Sequence, residues 1–254
     1  MNELFDISGK VALVTGSGQG IGFTLAKGLA AAGCTIILND IMEDRLNNAV
    51  GEMKKEGYKA YGVVFDVTNE EQIKTGIEKV VKETGPIDIL VNNAGIQIRG
   101  PLEDFKLSDW QRLMDINLTG AFLVSKTVVK NMIENKAGKI INICSMQSEL
   151  ARPSIAPYTA AKGGLRNLTR GMATDWGKYN IQVNGIAPGY FKTAMTKALY
   201  EDAKFDAWLC GRTPANRWGD PEELVGSLIF LSSKASSYVN GHLIYVDGGM
   251  LACV

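Results

Sequence analysis

The chain has little that a disulfide framework, a metal centre or a charged partner would require. Its 254 residues include four cysteines and one histidine. Cys34, Cys144, Cys210 and Cys253 show no CxxC or Cys/His ligand spacing, so neither a structural zinc site nor paired cysteines are expected. Lys plus Arg number 27 and so do Asp plus Glu, giving a formal net charge of zero. No broad field therefore favours nucleic acid or an anionic membrane. No apolar run is long enough to cross a bilayer, and the opening stretch MNELFDISGK carries neither a basic leader nor an apolar core. These absences predict no membrane or nucleic-acid partner and a cytoplasmic address. What remains, at 46% hydrophobic residues, is enough apolar side chain to fill one large core.

Short apolar, β-branched runs recur along the chain: KVALVTG, CTIILND, AYGVVFD, IDILVNN, GKIINICS, IQVNGIA and LIYVDGG. Runs of this kind bounded by Gly and Asp predict strands buried on both faces. Helix-length stretches alternate with them, at 43–56, 69–84, 108–136, 158–179 and 221–233. Alternating strand and helix implies right-handed crossovers and a parallel sheet of about seven strands with helices on both faces, in one α/β, doubly wound, Rossmann-type domain spanning 1–254. The rhythm breaks only at 189–220, a segment rich in aromatic, lysine and turn residues that predicts a substrate flap.

TGSGQGIG, residues 15–22, joins the first predicted strand to a small-residue helix. There Gly16, Gly20 and Gly22 can provide a tight turn, close approach of backbone to a pyrophosphate, and close helix-to-strand contact. A flexible turn would show the same composition, but the position after the first strand favours a dinucleotide. Asp40 ends the second predicted strand, where a carboxylate accepts hydrogen bonds from ribose hydroxyls and repels a 2′-phosphate. That favours NAD over NADP, although Arg45 lies close in sequence; a cap for the helix opening IMEDRL is the lesser alternative for Asp40. Ser145 ends another strand, and Tyr158 and Lys162 stand four apart on one helix face. To serve as a base near neutral pH, a phenol must fall about two to three units from its usual value near 10. An ammonium and an oxidised nicotinamide ring can supply that: two charges about 5 Å apart interact by roughly 3 kcal/mol at an effective dielectric near 20. Tyr158 would accept an alcohol proton while Ser145 hydrogen-bonds the same oxygen.

Taken together, the TGxxxGIG motif, NNAG at 92–95, Asn117, Ser145, Tyr158 with Lys162, and PGYFKT at 188–193 resemble the short-chain dehydrogenase/reductase family over the whole chain. The resemblance implies a catalytic tetrad of Asn117, Ser145, Tyr158 and Lys162, with Lys162 and Tyr158 also touching the cofactor and Asn117 keeping a water. It implies a cofactor site built from Gly16, Gly18, Gln19, Gly20 and Ile21, with Asp40 at the ribose and Asp66 and Val67 at the adenine. Asn93, Ala94 and Gly95 would line it, and Ile186, Pro188, Gly189 and Thr193 would hold its nicotinamide end. Within the family, NICSMQSEL, APGYFKTAMTKAL, RTPANRWGDP and NGHLIYVDGGML resemble gluconate 5-dehydrogenases, which implies a sugar-acid substrate. A reductase of the same family acting on a 3-oxoacyl thioester or a polyol remains an alternative, and so does a silent NAD-binding regulator, which would place no demand on Tyr158.

A sugar acid needs a cation for its carboxylate and polar groups for its hydroxyls. Arg99 and Gln147 are the candidates, with Ser148, Arg152 and Lys192 behind them. Each could instead be solvated surface charge or loop capping. His242 is expected to be a packed or interface residue. The apolar tail IYVDGGMLACV, similar to the family's subunit-interface end, implies a homotetramer.

Overall fold

A computed structural model describes residues 3–253; Met1, Asn2 and the tail's last residue, Val254, lie outside the described residues. The seven expected strands form one parallel sheet in the order β3-β2-β1-β4-β5-β6-β7. They are β1 Val11–Val14, β2 Thr35–Asp40, β3 Ala60–Val64, β4 Ile89–Asn92, β5 Gly138–Ile143, β6 Ile181–Pro188 and β7 Leu243–Val246. The helices are α1 Gly20–Ala31, α2 Glu43–Lys55, α3 Glu70–Thr84, α4 Leu107–Met114, α5 Gly120–Asn135, α6 Ala156–Trp176, the short α7 Lys197–Tyr200, α8 Ala203–Arg212 and α9 Val225–Ser232.

Successive strand residues point to opposite faces, and both faces are covered. Ala12, Val14, Ile36, Leu38, Ile89 and Val91 face one core, against Leu25 and Leu29 of α1, Leu46 of α2 and Leu228 of α9. Val11, Leu13, Ile37 and Leu90 face the other, against Ile73 and Ile77 of α3, Val124 and Val128 of α5 and Met172 of α6. This is why the strands read as unbroken apolar runs. The order reverses at β1, with β2 on one side and β4 on the other. The reversal leaves a crevice at the carboxyl ends of the strands.

The stretch expected as one helix at 108–136 contains a wider turn. A π-helical segment, Asp115–Thr119, joins α4 to α5, and its rotation turns Asn117 inward, where it is buried. Helix starts also differ in part from the expected polar caps. Asn69 caps α3 through Gln72 N–H, and Asp220 forms a capping box, but α2, α4 and α6 begin after Met42, Lys106 and Ile155 without side-chain caps. Packing of the apolar faces outweighs a cap contribution of about 1 kcal/mol at those ends. The segment 189–220 is not a bare loop: it carries α7 and α8 and is tied back by a bridge between Phe191 and Gly219.

Candidate active site

A cavity of about 830 Å³ runs along the carboxyl edge of the sheet, from the glycine turn to the start of α6. At one end the chain turns sharply at Gly16, whose φ of +60° suits glycine and whose added Cβ would stand 2.8 Å from Ala94 Cα. Asn93 clamps this turn, its Nδ2 donating to the carbonyls of Thr15 at 2.9 Å and Gly16 at 3.0 Å. Thr15 Oγ1 in turn accepts the N–H groups of Asn93 and Ala94. The NNAG stretch thus shapes the phosphate turn as well as lining the crevice. Gly20 also has φ of +60°, with open space where a Cβ would stand, and α1 starts after Gln19 with no side-chain cap. Free N–H groups and the positive end of the helix dipole therefore face the cavity across a gap that any side chain would fill. This suits a pyrophosphate.

Asp40 and Arg45 stand together at the adenosine end. Asp40 Oδ1 accepts the Met42 N–H at 2.9 Å, and Oδ2 lies 3.3 Å from Gly18 N and 3.8 Å from Arg45 Nη1. Asp40 closes a local turn and is not the cap of α2. The half-exposed guanidinium of Arg45, expected to lie near from its place in the sequence, faces it. Gly18 does not line the cavity; an added Cβ there would meet Asp40 Oδ2 at 2.6 Å and Arg45 Cγ at 2.9 Å, so this glycine makes room for the pair. Asp66 and Val67 lie in the cavity wall, with Asp66 Oδ1 accepting the Thr68 N–H and hydroxyl, each at 2.8 Å.

At the far end, β5 delivers Ser145, and α6 delivers Tyr158 and Lys162 into the same wall. The Gln147 N–H donates to Ser145 Oγ at 3.1 Å, leaving the hydroxyl proton free to point away from the backbone. Ser145 is within hydrogen-bonding reach of the Tyr158 phenol. Lys162 is buried; its Nζ donates to the Ile143 carbonyl at 2.7 Å and stands 5.8 Å from the centre of the Tyr158 ring. Burial pushes the Tyr158 phenol up to about 12, with Ser145 opposing the rise, and lowers Lys162 to about 8. The lysine by itself does not make the phenol acidic. Without a further positive charge in the cavity, desolvation outweighs the neighbouring groups.

Both Nδ2 protons of Asn117 are used, donating to the carbonyls of Ile96 and Leu113 at 3.0 and 2.9 Å, while Oδ1 accepts the Ile96 N–H at 3.3 Å and keeps a second lone pair. It braces the loop after β4. Pro188, Gly189 and Thr193 lie in the wall, with Ala94, Gly95 and Ile21, whereas Ile186 is buried in the sheet core. Gln147 and Arg99 do not line the cavity. Gln147 is buried beside Ser145 with Oε1 unpartnered, and Ser148 donates its hydroxyl to the Lys162 carbonyl, a packing role. Lys192 and His242 are exposed, so His242 is not packed within this chain. Arg45, Met195 and Thr196 also reach the wall. Only the proximity of Arg45 to Asp40 was visible beforehand. All four cysteines are free, and among the described residues no three His, Cys, Asp or Glu side chains gather to hold a metal. No helix among them is long and apolar enough to cross a membrane.

A model of the short chain dehydrogenase family matches residues 10–204. The chain belongs to that family. It is 57% identical, over the full length of both chains, to the 5-keto-D-gluconate 5-reductase of Escherichia coli strain K12. It is 54% identical to the 2-dehydro-3-deoxy-D-gluconate 5-dehydrogenase of Formosa agariphila, covering 99% of this chain and 96% of the other. Among solved structures, the gluconate 5-dehydrogenase of Burkholderia cenocepacia in complex with NADP and tartrate superposes with a TM-score of 0.97 at 52% identity, covering 99% of each chain. As a short chain dehydrogenase the protein is a single-domain oxidoreductase of the Rossmann-like α/β type with a nicotinamide cofactor, and the uncapped α1 terminus, the Gly20 gap and the Asp40–Arg45 pair fit that group.

Proposed function

We propose that the protein interconverts D-gluconate and 5-dehydro-D-gluconate, and that Asn117, Ser145, Tyr158 and Lys162 form its catalytic site. One observation carries the reading: a single cavity joins the glycine turn to the Ser145–Tyr158–Lys162 group. The bound oxidised nicotinamide supplies a hydride acceptor and a positive ring. Tyr158 then accepts the proton of the substrate alcohol, its phenol lowered from about 12 by that added charge together with the Lys162 ammonium. Ser145, oriented by the Gln147 N–H, donates to the same substrate oxygen and holds it through the change from alcohol to ketone. Lys162 would also hold the nicotinamide ribose, and Asn117 keeps the loop at Ile96 in place.

The substrate rests on relatives named for gluconate or 5-ketogluconate over the whole chain. The relative named for 2-dehydro-3-deoxy-D-gluconate supports a second reading at nearly the same identity. For the cofactor, Arg45 offsets the repulsion that Asp40 would exert on a 2′-phosphate, so the site would accept NADP, with Arg45 as the residue that would hold the phosphate. The flap at 189–220 closes over the substrate, with Arg99 at its carboxylate. The free thiols fit a cytoplasmic address, and the half-exposed edge strand β7, with Ile244 and Tyr245, fits a tetramer contact.

Initial rates of the purified protein with NADP and NAD, across D-gluconate, 2-dehydro-3-deoxy-D-gluconate, polyols and an acetoacetyl thioester, test the reading. Turnover of a sugar acid with NADP is expected; activity with the thioester alone refutes it. Tyr158→Phe should abolish turnover while sparing cofactor binding, and Arg45→Gln should weaken NADP and leave NAD nearly unchanged.

A further inference from the structure

We propose that Arg152, mounted on the flap helix α8 through Phe205, is the second cation of a two-arginine carboxylate site and makes the enzyme select anionic over neutral polyols; this rests on the sugar-acid reading above. The Arg152 guanidinium carbon stands 5.1 Å from the centre of the Phe205 ring. Phe205 is itself held among Tyr190, Trp208 and Trp218, with ring centres 5.7, 5.2 and 6.2 Å away. A guanidinium held over a ring by cation–π attraction keeps N–H groups that the ring does not use, and a carboxylate can take two of them in parallel hydrogen bonds.

The Arg99 and Arg152 loops are joined where the Gly100 N–H donates to the Ser154 carbonyl at 3.1 Å. Ser154 holds φ of +68°, a conformation that costs a serine and needs such a tie to persist. Among the described residues neither guanidinium has a carboxylate within ion-pair distance or a hydrogen bond; the eight ion pairs use other side chains. Both cations act on the Tyr190 phenol, and Arg99 is lowered first by burial and then by the Arg152 charge. Two like charges brought together without a counter-ion mark a place where an anion relieves repulsion.

The cluster borders the cavity without lining it. Arg99 follows the wall residue Ile96 by three positions, and Tyr190 directly follows the wall residue Gly189. In a six-carbon acid reacting at carbon 5, the carboxylate lies roughly 5 Å from the reacting carbon in an extended chain, the sum of four bond projections. A carboxylate at that reach calls for cations set back from Ser145 and Tyr158 and not beside them. Because Phe205 belongs to the flap, substrate charge and flap position are read by one residue.

The test compares wild type with Arg152→Gln at saturating NADP. Constants are measured for D-gluconate and for its neutral counterpart D-glucitol, as substrate or as competing ligand, and L-tartrate binding is followed by tryptophan fluorescence. The expected result is a KM for gluconate raised roughly ten- to hundredfold, the loss of a charge-assisted pair, with kcat within about threefold and the glucitol constant unchanged. Tartrate binding should weaken in parallel. Arg152→Lys should recover part of the affinity, and Phe205→Leu, which keeps the cation but removes its platform, should raise KM several-fold. These two variants carry the test if Arg152→Gln melts early. A gluconate KM within twofold of wild type, or equal weakening of gluconate and glucitol, overturns the proposal. Wild type that turns over no sugar acid overturns the functional reading as well, whereas active wild type with an unaffected Arg152→Gln overturns this inference alone.

Discussion

Replacing Lys162 by methionine isolates the electrostatic step on which the proposed chemistry depends. Methionine keeps most of the side-chain length and removes the charge. The ammonium stands 5.8 Å from the centre of the Tyr158 ring; at an effective dielectric near 20, a charge at that separation stabilises a phenolate by about 3 kcal/mol. That is about two pKa units, or roughly a hundredfold less phenolate at a given pH below its titration. The Ile143 carbonyl also loses its 2.7 Å donor, costing about 1–3 kcal/mol of stability for a buried acceptor. The assay is kcat for gluconate oxidation at saturating cofactor from pH 6 to 11, with thermal melts and cofactor titration as controls. The variant's rise should move about two units to higher pH, so that a hundredfold deficit near pH 7, where Lys162 still holds its proton, narrows as the solution becomes alkaline and wild type loses that proton near 8. A profile scaled down uniformly, with its midpoint unmoved, would refute the argument and leave Lys162 only the ribose.

Asn93→Ala removes both donors from the glycine turn and should weaken cofactor binding tenfold or more while leaving the Tyr158 end intact; isothermal titration with NADP checks this. Lys139, half-buried and with its Nζ donating to Ser236 Oγ at 3.2 Å, is lowered by desolvation to about 8. For a lysine so lowered, the unfolded chain holds more protons between pH 8 and 10.5, so wild-type stability contributed by this group rises with pH through that window. Lys139→Met should therefore be more stable than wild type near pH 7, by about 1 kcal/mol after allowance for partial exposure, and the gap should close by pH 10.5 in denaturant melts. Leu13→Ala, at the fully buried centre of the sheet, should cost roughly 2–5 kcal/mol by the same measurement.

The seven strands were legible because burial on both faces leaves a mark that needs no alignment. Where Val11 and Leu13 meet one core, and Ala12 and Val14 the other, no polar residue interrupts the run. The glycine turn and the Tyr158–Lys162 spacing were legible for a related reason, since backbone conformation and helical period are local. Arg45 against Asp40, the Asn93 clamp, the inward turn of Asn117 and the stacking of Arg152 on Phe205 were not. Each joins residues whose distance in space depends on how crossovers and loops pack, and a π-turn has no local period to announce it.

The amino-acid order by itself determined the alternation of strand and helix, the family, and which side chains could carry a proton or a phosphate. Only the folded molecule decided the state of those side chains. Burial, which is a property of the packed crevice and not of any residue type, raises the Tyr158 phenol and lowers the Lys162 ammonium. Packing likewise sets a guanidinium beside the carboxylate of Asp40. Charges in a low-dielectric site depend on what lies within a few ångströms in every direction, and the chain order specifies only two of those neighbours.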